Sequence, residues 1–271
     1  MKYPEIPVAQ TLILSCIQYK FCNVVISPGS RNVPLAIGFA SNEKFNCYSI
    51  VDERSAAFFA IGLSQNSTKP TILVCTSGSA LLNYYPAISE AYFSGVPLIV
   101  LSADRPAYKI NIGDSQTINQ KDVFGANIYF SECLEQDPAH ATEEIIKSNF
   151  QKIISKSISK KGVIKLQKRA QQNNELRIKK AFDLCLQSKK PVHLNIPMEE
   201  PLYNFIEQPE ITLSSRKKPI SIKTDKSVFE KLASHIKKTK KIVLIIGVQE
   251  QKSLSELSLI HISEPTRPYW I

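Results

Sequence analysis

Between Val8 and Pro106 the apolar positions change their period repeatedly. Short β-branched runs predict strands over residues 23–27, 48–51, 71–76 and 97–102. Stretches of helical period between them predict helices over residues 8–19, 34–41, 53–65 and 79–94. This alternation is that of βαβ units, and crossovers long enough to hold a helix wind right-handed and place helices on both faces of the sheet. The expected fold class is therefore α/β, a doubly wound parallel sheet. After an irregular stretch over 107–138 and a long Lys- and Gln-rich segment of helical propensity over 142–188, one more strand over 192–196, stopped by Pro197, is expected to close the sheet.

The pattern then weakens. Residues 204–226 contain Pro209, Pro219 and the polar run Ser214-Ser215-Arg216-Lys217-Lys218, so they are expected to link a first domain, 1–203, to a second unit. Ser227 can cap a helix over 228–238, and the apolar run 242–246 before Gly247 reads as a buried parallel strand. One helix and one strand are too little for a domain, so 227–256 is expected to be the truncated start of a second α/β domain. The eleven residues 257–267 match an in-frame translation of a transposase adapter used to build sequencing libraries. The coding sequence is accordingly expected to stop near Glu256, with 257–271 an assembly artefact, and no role is assigned to His261 or Trp270.

Composition narrows the class. In 271 residues, 43% hydrophobic and 21% charged, there is enough Ile, Leu, Val and Phe for a sizeable core, and disorder and collagen are excluded. The net charge of +10 sits almost wholly in residues 147–190, where thirteen Lys and Arg face only Glu175 and Asp183. The remainder is close to neutral, which argues against a basic body built for nucleic acid. Six cysteines without a CxxC pair, mostly in apolar runs such as Ile72-Leu73-Val74-Cys75, read as free thiols in a reducing compartment. Glu5, Pro4 and Pro7 break up the N-terminus where a signal peptide needs an apolar run, and no segment approaches the roughly 20 apolar residues of a membrane span. A cytoplasmic protein without a membrane partner is expected.

In a doubly wound sheet, ligands bind beyond the carboxyl ends of the strands, and the unusual polar residues fall there. Ser27-Pro28-Gly29-Ser30-Arg31 lies between a strand and a helix. Gly29 permits a tight turn, Ser30 and nearby backbone N–H groups can meet an anion, and Arg31 can grip a carboxylate through two donors. An ordinary turn with a surface Arg is the simpler alternative. Asp52-Glu53-Arg54 opens a helix so apolar that burial on most sides is expected, with Glu53 at the core's edge. There Glu53 can make one charge-assisted hydrogen bond to a ligand proton, or Asp52 and Glu53 can together cap the helix. Thr76-Ser77-Gly78-Ser79 repeats the small-residue exit and admits a planar ligand, with Asn83, Tyr84 and Tyr85 in the next turns. Ser77 or Ser79 can equally serve as a helix cap. Asp104-Arg105-Pro106 adds a second Arg, and Gln116 and Gln120 follow in a loop able to fold over the site. Two Arg on one rim suit a polyanionic substrate.

Taken in order, Ile26-Ser27-Pro28-Gly29-Ser30-Arg31, Asp52-Glu53-Arg54-Ser55-Ala56-Ala57-Phe58-Phe59-Ala60, Cys75-Thr76-Ser77-Gly78-Ser79-Ala80, Asn83-Tyr84-Tyr85-Pro86-Ala87 and Ser102-Ala103-Asp104-Arg105-Pro106 closely resemble the N-terminal, pyrimidine-binding domain of the 2-succinyl-5-enolpyruvyl-6-hydroxy-3-cyclohexene-1-carboxylate synthases. These are thiamine-diphosphate enzymes of menaquinone biosynthesis. The resemblance runs from about Tyr3 to Tyr203, closing with Pro191-Val192-His193-Leu194-Asn195-Ile196-Pro197. It implies decarboxylation of 2-oxoglutarate by the cofactor ylide and 1,4-addition of the resulting four-carbon unit to isochorismate. It also implies that Glu53 is catalytic, binding the aminopyrimidine nitrogen, with Pro28, Thr76, Ser77 and Asn83 lining the cofactor pocket. Ser30, Arg31, Arg105 and Gln116 match substrate-binding positions, while Ser115 stands where the family often has Asn. Family members run to about twice this length. The resemblance places the Mg²⁺ or Mn²⁺ ligands in the half absent from this chain, assigns no metal ligand here, and implies a homodimer or homotetramer for the intact enzyme and an inactive fragment.

Two alternatives stay in view. An acetolactate-synthase-like enzyme would also place a Glu after the second strand, but it explains the Ser-Pro-Gly-Ser-Arg and Ala-Asp-Arg-Pro pair less well. A non-catalytic RNA-binding protein would use residues 147–190, yet only Phe150 and Phe182 offer stacking platforms there. That segment reads instead as a solvated helical face.

Overall fold

The computed structural model describes residues 2–67, 69–110, 112–148, 153–155, 157–215 and 226–238. Its first compact unit ends at Ser214. The centre is a six-stranded sheet of β2 (Asn23–Ile26), β3 (Asn46–Ser49), β4 (Thr71–Cys75), β5 (Leu98–Asp104), β6 (Phe130–Cys133) and β7 (Val192–Pro197), in the order β3-β2-β4-β5-β7-β6. Every pairing is parallel, so all strand exits lie on one edge.

The period-two alternation of the strands separates two cores. Val24, Ile26, Ile72, Val74, Ile99 and Leu101 face one side with residues of α1 (Pro7–Tyr19), α2 (Val33–Ala40) and α7 (Lys160–Ser188). Val25, Leu73, Cys75, Leu98 and Val100 face the other with α3 (Glu53–Gln65), α4 (Ser79–Asn83) and α5 (Tyr85–Ser94). This is the doubly wound sheet the sequence predicts.

Several details differ from expectation. The strand at 192–197 does not close the sheet: it lies between β5 and β6, and the edge is β6, from the stretch read as irregular. Phe130-Ser131-Glu132-Cys133 is half-buried throughout and mixes polar with apolar residues, so it carries no apolar run to announce it. The helix predicted over 79–94 is two helices meeting at Tyr84, with Pro86 in the first turn of the second. The segment over 142–188 forms α6 (Thr142–Lys147) and then α7, which Ser159 caps by accepting from the Gly162 N–H at 3.2 Å. α7 buries Ala170, Ile178, Ala181, Phe182 and Cys185, and leaves Lys160, Lys161, Lys165, Lys168 and Arg169 exposed.

The first unit also continues past the expected boundary at 203. A short antiparallel pair joins β1 (Tyr3–Pro4) to β8 (Phe205–Ile206), and Ser214 donates its backbone N–H to Glu175 at 2.8 Å. In the second unit, α8 (Lys226–Lys238) covers the predicted helix. The predicted strand over 242–246 and the tail from 257 lie outside the described residues. Among the described residues no helix is long and apolar enough to cross a membrane. All six cysteines are free thiols, Cys16, Cys75 and Cys185 buried and Cys47 exposed.

Candidate active site

Because the sheet is parallel, the exits of β2, β3, β4 and β5 bring four loops to one rim. The β2 and β4 loops touch: a Cβ on Gly29 would lie 2.5 Å from Thr76 Cβ, so only glycine permits this approach. Gly78, at φ +82, is equally constrained, since a Cβ there would meet the Gln116 carbonyl oxygen at 2.6 Å. The loop carrying Gln116 thus folds directly onto the β4 turn.

One end of the rim is acidic. Asp52 caps α3, its carboxylate accepting from the Ser55 N–H at 2.7 Å. Glu53 takes no part in that cap. It is half-buried as the first helical residue, and Asn83 Nδ2 donates toward its Oε2 at 3.4 Å. Below it lie Cys75 and Tyr84, both buried, whose pKa values are pushed up by desolvation and further by the Glu53 charge, so both stay neutral. Tyr84 donates to the Val74 carbonyl at 3.1 Å, which leaves this floor without a free charge. α3 is less buried than its composition suggests: Ala56, Ala57, Ala60 and Ile61 face the core, while Phe58 and Phe59 are exposed. Val51 and Leu82 extend that exposed apolar edge.

The other end is cationic. Arg105 is buried, and its guanidinium donates to Asp114 Oδ2 at 2.8 Å, Ser77 Oγ at 2.7 Å and the Gln116 carbonyl at 3.2 Å. Ser77 also donates to the Gln116 carbonyl at 3.2 Å, so it ties the loop down instead of capping α4, whose cap position is Gly78. Arg31, also buried, donates to the Met198 carbonyl at 3.2 Å and to Glu200 Oε1 at 3.1 Å. Asp104 stands within electrostatic reach of both guanidiniums: burial raises its pKa, and the Asn195 and Arg105 N–H bonds and the two Arg charges offset that only in part. Pro28, Ser30 and Gln116 are exposed at the mouth, Gln116 with a left-handed backbone at φ 57.

Beneath the cationic end runs a polar network of which the sequence singles out only Gln120. Gln120 accepts from the Gly78 N–H at 2.8 Å and donates to Asn195 Oδ1 at 2.6 Å, while Asn195 donates to Asp104 Oδ2 at 2.7 Å. Ser102 Oγ donates to Asn195 Oδ1 at 2.9 Å and meets His193 Nε2 at 2.7 Å. The available signal was polar residues, His193 and Asn195, inside an otherwise apolar central strand. A cavity of about 590 Å³ opens over the exits of β5, β7 and β6 and shares Asp104, Arg105 and Gln120 with the rim. Neither Glu53, Asn83 nor Arg31 lines it. The acidic end is an open edge that another surface must cover before it can exclude water.

A parallel sheet presenting a half-buried glutamate above a neutral floor, beside small-residue turns, can meet a flat ligand that offers a proton to the carboxylate. Residues 6–123 match the family described as "Thiamine pyrophosphate enzyme, N-terminal TPP binding domain", which defines the class of this domain. Within that class the chain is similar to the 2-succinyl-5-enolpyruvyl-6-hydroxy-3-cyclohexene-1-carboxylate synthase of Flavobacterium johnsoniae, 41% identical over 263 residues, covering 96% of this chain and 41% of the relative. The synthases of Christiangramia forsetii (48% over 210 residues; 76% of this chain, 33% of the relative) and Flavobacterium psychrophilum (43% over 251 residues; 91% and 39%) are similar too. The chain is a homologue of these 2-succinyl-5-enolpyruvyl-6-hydroxy-3-cyclohexene-1-carboxylate synthases and corresponds to their N-terminal portion. It spans 33–41% of the length of these three curated relatives.

Proposed function

We propose that this chain forms the pyrimidine-binding part of a cytoplasmic enzyme that decarboxylates 2-oxoglutarate and adds the succinyl unit to isochorismate in menaquinone biosynthesis. Thiamine diphosphate, when bound, supplies the stabilisation of negative charge at the reacting carbon. The described residues fit its pyrimidine half: Glu53 offers a carboxylate from a helix N-terminus, Thr76, Ser77 and Pro28 bound a shallow exit, and Asn83 steadies the carboxylate. Among the described residues no group of three or more His, Cys, Asp or Glu could hold a metal ion. Mg²⁺ or Mn²⁺ and the diphosphate are assigned to the complementary domain.

Glu53 holds a proton at the ring nitrogen through a charge-assisted bond, strengthened where water is excluded. Arg31 and Arg105, with Ser30 and Gln116 at the mouth, hold the carboxylates of the acceptor. The observation that carries the reading is that Glu53 and both guanidiniums share the rim, with Asp104 feeling both Arg charges. Exposure of Val51, Phe58, Phe59 and Leu82 beside Glu53 supports closure by a second subunit, hence a homodimer or homotetramer.

The test is a turnover assay on the intact enzyme with thiamine diphosphate, Mg²⁺, 2-oxoglutarate and isochorismate. CO₂ release stoichiometric with isochorismate consumption is expected. Consumption of a 2-oxo acid that ignores isochorismate would overturn the reading.

A further inference from the structure

We infer that Glu200 is a positioning residue for Arg31, and that it acts through its hydrogen bond and not through its charge. The inference rests on the proposed role of Arg31 in holding the acceptor. The Arg31 side chain is 9% exposed, whereas that of its partner Glu200 is 64% exposed. Glu200 nevertheless stands on a fixed base. Its backbone N–H donates to Glu199 Oε1 at 2.9 Å, and the Glu199 carboxylate, 1% exposed, accepts from Lys109 Nζ at 2.6 Å and from the Tyr108 hydroxyl. Met198 N–H donates to the Asp104 carbonyl at 3.0 Å. Residues 198–200 are therefore bracketed to the exit of β5, the strand that also delivers Arg105.

This bracket fixes the plane of the Arg31 guanidinium. A guanidinium carries five donors in a rigid fork. Spending one on the Met198 carbonyl and one on Glu200 leaves the fork with a defined direction and three donors in hand. Glu200 brings two opposing influences on an acceptor carboxylate. Its oxygen orients Arg31, which favours binding, and its negative charge repels the acceptor, which disfavours it. The charge is largely in water and screened. The geometric restraint acts on a buried group and is not screened, so orientation outweighs repulsion.

The two influences separate experimentally. In the intact enzyme, Glu200→Gln keeps an oxygen acceptor and removes the charge, and Glu200→Ala removes both. We expect Glu200→Ala to raise KM for isochorismate about fivefold, with kcat and KM for 2-oxoglutarate unchanged. Glu200→Gln is expected to restore most of the affinity. A lowered KM in both variants would mean that Glu200 competes with the acceptor, and would overturn the inference, as would an unchanged KM in Glu200→Ala. A parallel rise in both substrates' KM values would point to general disruption and overturn it too. Arg31→Ala separates the two levels: if it leaves KM for isochorismate unchanged, the placement of the acceptor has failed and this inference with it. If it raises KM and adding Glu200→Ala raises it no further, the coupling is as inferred.

Discussion

The two ends of the rim are supported in opposite ways. Under Glu53 the floor is Cys75 and Tyr84, neutral groups whose ionisation burial suppresses. Under Arg105 the floor is the Asp104–Asn195–Gln120–Ser102–His193 network, every member of which is hydrogen-bonded. On the proposed reading Glu53 interacts strongly with one ligand proton, and it gains from a floor that offers no competing donor. On the same reading the guanidiniums hold extended anions and need their direction fixed, which Asp114, Ser77 and the Gln116 carbonyl do for Arg105, and the Met198 carbonyl and Glu200 for Arg31. The two floors lie side by side on one face of the sheet: Cys75 is the register partner of Ser102 across β4 and β5, and Ser102 is that of Asn195 across β5 and β7.

The sharpest way to break the comparison is at the acidic end. Glu53→Gln keeps shape and the contact with Asn83 but removes the charge, and we expect kcat of the intact enzyme to fall by about 10²-fold or more. Thermal unfolding should stay within about 0.5 kcal/mol of wild type, since Asp52 and not Glu53 caps α3. Single-turnover kinetics together with calorimetry check both halves of this statement.

At the cationic end, Arg105→Ala should raise KM for isochorismate about 10- to 100-fold with a smaller change in kcat, because it removes a buried charge and leaves Ser77 and Asp114 without their partner. Steady-state kinetics with each substrate varied in turn reads this directly. An equal loss for 2-oxoglutarate would show that the two ends are not separate.

What was legible follows the same division. Most strands and helices from 8 to 106 could be read because their apolar periods are clean. The exceptions are the break at Tyr84 and β3, a mostly exposed edge strand that begins two residues before the predicted one. Glu53, Arg31 and Arg105 fall on one rim because parallel strand exits share an edge. β6 could not be read, because its four residues are half-buried and mixed in polarity. Nor could its place beyond β7: pairing across some sixty residues leaves no local trace. His193, Asn195 and Glu200 were missed for a related reason. Each matters through partners far away in sequence, so no short motif announces it.

The floor of the cationic end gives a pH test. Burial holds His193 neutral, its pKa pulled down from 6.5 to about 3. Below pH 6.5 the unfolded chain takes up a proton that the folded one refuses until about pH 3, so this group's contribution to stability is lost as pH falls through that window. His193→Gln should cost about 1–2 kcal/mol at pH 8, from weakened bonds to Ser102 and Ser131. It should also flatten the decline toward acid. Urea titrations of both proteins at pH 8 and pH 5 test the sign: the gap between them should narrow or reverse at the lower pH.

The smallest expected effect refines the acidic end. Asn83 approaches Glu53 at 3.4 Å, a long contact between groups near the surface, so in the free protein it orients the carboxylate only weakly. Its influence should grow once the open edge is covered and water leaves, because a hydrogen bond strengthens in a drier surround. Asn83→Ala should therefore reduce kcat about two- to fivefold while leaving stability within about 0.5 kcal/mol. Asn83→Asp should be worse, since it sets a second negative charge against Glu53 where, on the proposed reading, Glu53 attracts a ligand proton. If the Ala and Asp variants lose activity equally, Asn83 contributes packing alone, and the acidic end consists of Glu53 and its dry floor.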